Sequence, residues 1–161
     1  MAAAAPSGGC QCGAVRYRID GDIRYPHVCH CRMCQKASGN YFLPLGASGR
    51  NRFQITRGAP AWFHSSDHVR RGFCSACGTP LFYDIPGTDF INVTLGSLDE
   101  PQRIRPEAQS NLTGKMKWLA ELDDLPAEIE AEKDPCQTIT NRQHPDHDTI
   151  DWPPQEKQHD Q

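Results

Sequence analysis

Seven of the eight cysteines in the chain lie in three short clusters, and this distribution constrains the fold more strongly than any other feature. A CxC pair, a CxCxxC triplet and a CxxC pair follow one another, and they comprise Cys10 and Cys12, then Cys29, Cys31 and Cys34, then Cys74 and Cys77. In a reducing cytosol such spacing is typical of metal ligation or redox chemistry rather than of a disulfide framework. Cysteine thiolates are common ligands of zinc. We therefore predict a domain that binds two Zn²⁺ ions per chain.

The CxxC pair is typical of a zinc knuckle. Cys74 and Cys77 bracket a tight turn, and Gly78 supplies the backbone freedom that lets N–H groups face the sulfurs. Combining this knuckle with Cys10 and Cys12 gives four thiolates from distant parts of the chain, so a bound zinc would clip those parts together. A disulfide between Cys74 and Cys77, or a pair of inert buried thiols, is the alternative.

The CxCxxC triplet leaves three thiolates for a second metal. Three protein ligands with a vacant fourth position are typical of catalytic zinc sites. A histidine could also complete the set, since imidazole is a good zinc ligand, and the candidates are His27, His64 and His68. Side chains at i and i+2 of an extended strand point to the same side, so each CxC should present its sulfurs together. Gln11 and His30 should then face away from the metals.

Alternation with a period of two predicts a mainly β fold. In AVRYRID, the apolar residues Val15, Tyr17 and Ile19 alternate with polar ones, which is typical of a strand with one buried face. Further strand-like segments, separated by Gly, Pro, Ser and Asn turns, are residues 41–47, 51–57, 61–65, 69–73, 79–85 and 89–98. Only residues 114–124 and 126–133 look briefly helical. We expect a small single domain of β-sheets held by zinc.

The composition changes towards the C-terminus. Beyond about residue 134 the chain has few aliphatic residues, so it should bury too little surface to offset the entropy of ordering it. We expect a flexible N-terminus over residues 1–7, a zinc-binding β domain over 8–133, and an irregular, polar, acidic tail over 134–161. The tail should be dispensable for folding, although Trp152 could rest on the domain.

The charge is distributed unevenly along the chain. The net charge is -3, but residues 1–120 carry 14 Lys and Arg against 8 Asp and Glu, whereas residues 121–161 carry 3 against 12. The arginines are scattered and no RNA-type aromatic motif is interleaved with them, which disfavours nucleic acid as a partner. There is no signal-peptide pattern and no run of about 18 apolar residues that could span a membrane. We expect a soluble cytoplasmic protein with no membrane partner.

The cysteine clusters and their surroundings resemble the signature of one family. GGCQCGAVRY, HCRMCQKASG and FCSACGTPLFY occur in the order that is typical of the glutathione-dependent formaldehyde-activating enzyme family, which is related to centromere protein V. The resemblance runs from about Gly8 to about Leu125 and includes SNLTGKMKWLAELDDLP. It implies a fold of coiled antiparallel β-sheets. It also implies that Cys10, Cys12, Cys74 and Cys77 hold a structural zinc and that Cys29, Cys31 and Cys34 hold a catalytic one.

The resemblance also implies a reaction, since the family adds the thiol of glutathione to formaldehyde and forms S-(hydroxymethyl)glutathione. The chain would then be a carbon–sulfur lyase, or an enzyme that joins a small thiol such as glutathione to a small aldehyde. Four residues close to the triplet in sequence could orient a carboxylate or a developing oxyanion, namely His30, Arg32, Ser38 and Asn40. The alternatives are a non-catalytic, zinc-stabilised binding module and a glutathione sensor or carrier.

Overall fold

The computed structural model describes residues 5–127 and 141–152, and ten short strands dominate this part of the chain. The strands are β1 (Ser7–Gly9), β2 (Arg16–Ile19), β3 (Arg24–Cys29), β4 (Leu43–Gly49), β5 (Phe53–Arg57), β6 (Ala61–His64), β7 (Arg70–Phe73), β8 (Pro80–Asp84), β9 (Phe90–Thr94) and β10 (Ala108–Ser110). One α-helix, α1, covers Arg32–Ser38, and 3-10 helices cover Arg50–Arg52, Leu95–Ser97, Pro101–Arg103, Leu112–Gly114 and Lys117–Asp124. The prediction of a small, mainly β domain is confirmed.

The strands form two sheets. The smaller has the order β1-β2-β5, and the larger has the order β10-β3-β4-β9-β8-β7-β6. Neighbouring strands are antiparallel except for β10, which runs parallel to β3 and places Ser110 opposite Cys29. This pairing brings the segment after β10 to the cysteine triplet. No helix in the described residues is long and apolar enough to cross a membrane.

The main core confirms the alternation predicted for β2, with one exception. Tyr17 and Ile19 are fully buried, and the Tyr17 ring packs 5.3 Å from the Phe82 ring and 5.8 Å from the Phe53 ring, measured between centroids. Arg16 was expected on the outward face, but only 3% of it is exposed. Its charge is buried because carboxylates compensate it, as described below for the C-terminal segment.

Strand β3 was not predicted, because its sequence contains a proline and its pairing with β4 is irregular. The pairing of β3 with β4 shifts between Arg24 and His27. Within the shift, Tyr25 has a φ of 46° and precedes Pro26. Proline cannot donate to a ladder and is tolerated in strands mainly at such bulges. The helical prediction for 114–124 corresponds to 3-10 turns rather than to an α-helix, and most of 126–133 lies outside the described residues.

The C-terminal segment 141–152 packs against the domain, so the expectation that the tail stays unpacked is wrong for these residues. Its contacts are polar rather than aliphatic. Asp148 accepts a hydrogen bond from Arg16 Nε over 2.8 Å, Arg57 donates to the carbonyl of Thr149, and His144 is 3% exposed. One buried and one half-buried arginine therefore order a segment whose composition lacks the apolar residues that usually do so.

Candidate metal centres and the adjoining cavity

Four cysteine sulfurs converge where the N-terminal turn meets the loop between β7 and β8. The Sγ atom of Cys12 lies 3.6 Å from that of Cys10 and 3.8 Å from that of Cys74, and all four sulfurs, including that of Cys77, lie within 4.8 Å of one another. A disulfide would join two sulfurs at about 2.05 Å, so these are free thiols. Four zinc–sulfur bonds of about 2.3 Å in a tetrahedron place the sulfurs about 3.8 Å apart. The set fits a tetrahedral metal ion.

Two turns, rather than an extended strand, bring these sulfurs together. Gly13 has a φ of 75° and its N–H donates to the carbonyl of Cys10 over 3.0 Å. This corrects the prediction that Cys10 and Cys12 share one face of a strand. The tight turn predicted between Cys74 and Cys77 is present, because Gly78 has a φ of 76° and its N–H donates to the carbonyl of Cys74 over 2.8 Å.

The thiols of the four-cysteine cluster differ in acidity. Burial raises the pKa of Cys10 to about 12. Burial also acts to raise the pKa of Cys77, but hydrogen bonds from the side chain and backbone of Thr79 outweigh it and lower the pKa to about 6. A cysteine ligand must be deprotonated, so a metal that enters this cluster displaces the proton of Cys10.

The triplet forms a second cluster where β3 leads into α1. Cys29 ends β3, Cys31 is the N-cap of α1, Cys34 lies in the first turn of that helix, and the three sulfurs lie within 4.8 Å of one another. The sulfur of Cys31 accepts the backbone N–H of Cys34 over 3.4 Å. A strand-to-helix transition therefore gathers the triplet, and three convergent thiols can supply three ligands to a metal.

The histidines considered as fourth ligands are not placed as such. Within residues 5–127 and 141–152, no histidine or carboxylate joins the three sulfurs within 4.8 Å, which applies to His27, His64 and His68 alike. Of the three, only His27 lines the cavity in front of the triplet, and its Nδ1 lies 2.9 Å from the carbonyl oxygen of Tyr25. His30 turns away, as expected, with Nε2 3.0 Å from Gln109 Oε1.

A cavity of about 300 Å³ opens in front of the triplet. Its polar wall contains His27, Ser65, Arg71, Asn92, Ser110 and Asn111, and its apolar wall contains Met33, Leu45, Val69 and Tyr83. Asn111 Nδ2 donates to the sulfur of Cys29 over 3.4 Å, and Arg71 Nη2 donates to the sulfur of Cys34 over 3.5 Å. Two of the three sulfurs therefore receive a hydrogen bond from a residue distant in sequence.

These neighbours also affect the acidity of the triplet. Burial raises the pKa of Cys34 to about 12, and the guanidinium of Arg71 only partly opposes it. Burial also acts against ionisation of Cys29, but hydrogen bonds from the Ser110 hydroxyl and the Cys31 backbone outweigh it and lower the Cys29 pKa. The surroundings therefore shift the pKa values of Cys29 and Cys34 in opposite directions.

Gln35 fixes the segment that carries Asn111. Gln35 is 3% exposed, and its Nε2 donates to the carbonyl of His30 over 3.0 Å and to that of Gly114 over 2.9 Å. Gly114 packs so closely that a Cβ atom there would collide with the His30 carbonyl oxygen. Helix α1 therefore positions Cys34 directly and Asn111 through Gln35.

The four residues expected to orient a substrate do not line the cavity, namely His30, Arg32, Ser38 and Asn40. The Ser38 hydroxyl donates to the carbonyl of Cys34 over 2.9 Å, and Asn40 Oδ1 accepts the N–H of Tyr41 over 2.6 Å. Both contacts close the C-terminal end of α1. Three residues that do reach the cavity, Arg71, Asn92 and Asn111, have no local sequence signal, because contacts between distant segments bring them to the triplet.

The C-terminal segment covers the four-cysteine cluster on the side of Cys12. Trp152 Nε1 donates to the carbonyl of Cys12 over 2.7 Å, and the N–H of His144 donates to that of Gln11 over 2.7 Å. A Cβ atom at Gly13 would collide with the rings of both His144 and Trp152. The prediction that Trp152 rests on the domain is confirmed.

A small β-sheet domain with one four-thiol cluster, and one three-thiol cluster beside a cavity, is the class of protein that this geometry defines. The chain belongs to the glutathione-dependent formaldehyde-activating enzyme family, whose sequence profile matches residues 5–113. A curated relative from Halomonas elongata, named "Putative glutathione-dependent formaldehyde-activating enzyme", is 27% identical over an alignment of 159 residues, and the match covers 90% of this chain and 92% of the relative.

A solved structure supports the fold independently of the sequence. The crystal structure of a Rhodobacter sphaeroides protein, a structural genomics target, superposes with a TM-score of 0.53 at 16% identity. The match covers 65% of this chain and 99% of the solved one. At this identity the likeness concerns the fold alone.

Proposed function

We propose that this protein is a zinc-dependent enzyme that joins glutathione to formaldehyde, like an S-(hydroxymethyl)glutathione synthase, and that it acts as a carbon–sulfur lyase in the reverse direction. The observation that carries the proposal is the convergence of three thiols at a cavity where no histidine or carboxylate of the described residues completes the set. Three protein ligands and one open position are what a catalytic zinc requires. The names of the family and of the Halomonas relative agree with this reaction.

The two clusters have different roles in this proposal. Cys10, Cys12, Cys74 and Cys77 would hold a structural zinc, and Cys29, Cys31 and Cys34 would hold a catalytic zinc. When bound at the triplet, zinc would lower the pKa of an incoming thiol and polarise a carbonyl oxygen. The catalytic unit would be the domain over residues 8–133. It would act in the cytoplasm, whose reducing conditions prevent the cysteine ligands from forming disulfides.

The chain's own residues contribute hydrogen bonds to the reaction. The sulfur of glutathione adds to the carbonyl carbon of formaldehyde, the C=O electron pair moves to oxygen, and that oxygen takes up the proton that the thiol gives up. The reaction therefore needs no oxidant or reductant. Asn111 and Ser110 border the triplet, and by turning a donor away from Cys29 either residue can donate to the oxygen as its charge develops. The apolar wall formed by Met33, Leu45 and Val69 limits the water near the reacting atoms.

The test is the rate of adduct formation. Magnetisation exchange between formaldehyde hydrate and S-(hydroxymethyl)glutathione can be followed by NMR with and without the zinc-loaded protein. We expect the wild type to accelerate the exchange and Cys31→Ser to abolish the acceleration while a hydroxyl still caps α1. Cys136→Ser is the matched control, because Cys136 belongs to none of the three clusters. Glutathione binding without any acceleration would instead support a sensor or carrier.

A further inference from the structure

One row of side chains crosses three neighbouring strands of the larger sheet and ends in the cavity. Arg71 on β7 is the register partner of Tyr83 on β8, and Tyr83 is the register partner of Asn92 on β9. All three residues line the cavity beside the triplet. The two polar members are more than nine-tenths buried, since Arg71 is 8% and Asn92 is 7% exposed.

Arg71 is a buried cation without a carboxylate partner among the described residues. Its Nε donates to Ser65 Oγ over 3.3 Å, its Nη2 donates to the Cys34 sulfur over 3.5 Å, and its Cζ lies 5.2 Å from the centroid of the Tyr83 ring. Within residues 5–127 and 141–152, no carboxylate forms an ion pair with it and its Nη1 makes no hydrogen bond.

Three other buried or half-buried arginines have carboxylate partners. Arg16 forms ion pairs with Asp99 and Asp148, and Arg50 and Arg70 share the fully buried Asp84. An arginine that is buried without a carboxylate is costly unless its free donors serve another anion. The guanidinium of Arg71 therefore faces the cavity with N–H donors that no described residue accepts.

The rest of the cavity wall favours the same kind of ligand. Asn92 makes no side-chain hydrogen bond to any described residue, so its amide is available to the cavity. No Asp or Glu of the described residues lines the cavity. A wall with a guanidinium, the free amide of Asn92, serine hydroxyls and no carboxylate suits an anion that accepts several hydrogen bonds at once.

We propose that Arg71 and Asn92 form a carboxylate-binding subsite that selects thiol substrates carrying a carboxylate. The proposal rests on the proposed function for the identity of the thiol. Arg71 receives the carboxylate on the guanidinium edge that it does not use for Ser65 and Cys34, and Asn92 donates its amide N–H to the same group. Neutral and cationic thiols gain nothing from these donors.

Binding of S-methylglutathione tests the subsite separately from the reaction, because this compound keeps both carboxylates but has no thiol hydrogen to lose. Its affinity for the zinc-loaded protein can be compared by calorimetry with that of its diethyl ester, in which both carboxylates are masked. We expect the acid to bind at least about tenfold more tightly than the ester. Arg71→Met and Asn92→Leu should each reduce this preference, and Arg71→Lys, which keeps the charge but not the fork, should retain only part of it.

Arg32→Met is the matched control for loss of a positive charge. Arg32 is also adjacent to the triplet in sequence, but it is exposed, donates to Gln35 Oε1 over 3.3 Å and does not line the cavity. Its replacement should leave the acid-to-ester preference unchanged. Zinc content and thermal unfolding show whether each variant folds. If Arg71→Met does not fold, the acid-to-ester preference of Arg71→Lys is compared with that of the wild type instead.

The outcomes distinguish this proposal from the proposed function. Equal binding of acid and ester to the wild type, or no binding of either, overturns the subsite, whatever the NMR exchange rate shows. A loss of preference in Arg32→Met equal to that in Arg71→Met also overturns it, because the effect would then be general charge. An Arg71-dependent preference without any acceleration of adduct formation supports the subsite and contradicts the proposed reaction.

Discussion

Trp152 donates its indole N–H to the carbonyl oxygen of Cys12 over 2.7 Å, which ties the C-terminal segment to a residue of the four-cysteine cluster. The two residues are separated by 140 positions in the sequence. The family profile covers residues 5–113, so Cys12 lies inside it and Trp152 lies outside it. It gives the polar C-terminal segment a role in stabilising the cluster.

Removing residues 141–161 should therefore destabilise the domain and expose the four-cysteine cluster. We expect a loss of about 2 kcal/mol, because a buried hydrogen bond, an aromatic contact and the partner of a buried arginine are removed together. Urea denaturation measures the stability, and the rate of zinc transfer to a chromogenic chelator measures the exposure. A truncation after Trp152 keeps all of these contacts and is the control. Equal stability and equal zinc transfer in the two truncated proteins would contradict the prediction.

The sequence predicted seven of the strands because each has an apolar pattern of its own. It did not predict β3, whose bulge at Tyr25 and Pro26 interrupts the alternation, or α1, whose N-cap Cys31 was considered only as a metal ligand. It also placed Arg16 on the outward face, because the alternation of one strand cannot show that Asp99 and Asp148 reach that arginine from elsewhere.

The candidate site could be predicted only in part for the same reason. The close spacing of the cysteines predicts metal ligands, and in the structure their sulfurs form the two expected groups. Contacts between distant segments bring three further residues to the cavity, namely Arg71, Asn92 and Asn111. The register between β7, β8 and β9 cannot be predicted from the sequence of any one of these strands. Residues close to the triplet in sequence were expected to orient the substrate, but the short helix turns them away from the cavity.

Asp99 should make the stability of the domain depend on pH in the acidic range. Burial acts to raise its pKa, but hydrogen bonds from Arg16, over 2.8 and 2.6 Å, and from Ser7 outweigh it and lower the pKa below the ordinary value. Since the folded pKa is the lower one, the stabilisation is complete above about pH 4 and is lost as the pH falls through the folded pKa. Asp99→Asn should cost about 2 kcal/mol at pH 7, and the difference from the wild type should shrink in acid.

Denaturant titrations between pH 7 and pH 2 measure this difference. Asp20→Asn is the control, because Asp20 pairs with Arg18 on the surface, where both side chains are about half exposed. Its replacement should change the stability by less than about 1 kcal/mol at any pH. A difference between the wild type and Asp99→Asn that does not depend on pH would contradict the assignment.

Gly114→Ala should displace Asn111 from the wall of the cavity. The added methyl group would collide with the carbonyl oxygen of His30, which the segment can avoid only by moving away from Gln35. Overpacking of this kind costs about 1–3 kcal/mol. Gly96→Ala is a matched control, because a Cβ atom there meets nothing within 4 Å. Cobalt-substituted protein should show altered absorption bands in Gly114→Ala alone, and unchanged bands would contradict the role assigned to the contact.

The two cysteine clusters should respond differently to loss of one ligand. Cys12 and Cys74 join the N-terminal turn to the loop between β7 and β8, so that Cys12→Ala or Cys74→Ala removes a link between distant parts of the chain. Cys29, Cys31 and Cys34 lie within one short segment, and the fold around them is also held by the pairing of β3 with β4 and β10. We expect Cys12→Ala to unfold the domain or to destabilise it by more than about 3 kcal/mol, whereas Cys31→Ser should remain folded.

Zinc content and denaturation together measure this contrast. The wild type should contain two zinc ions, Cys31→Ser should retain one, and the zinc retained should be the one that exchanges slowly with a chelator. Serine is preferred to alanine at position 31 because its hydroxyl can still accept the N–H of Cys34 at the start of α1. Equal destabilisation by Cys12→Ala and Cys31→Ser would show that both metals are structural, since a catalytic metal at the triplet should be removable from a domain that stays folded.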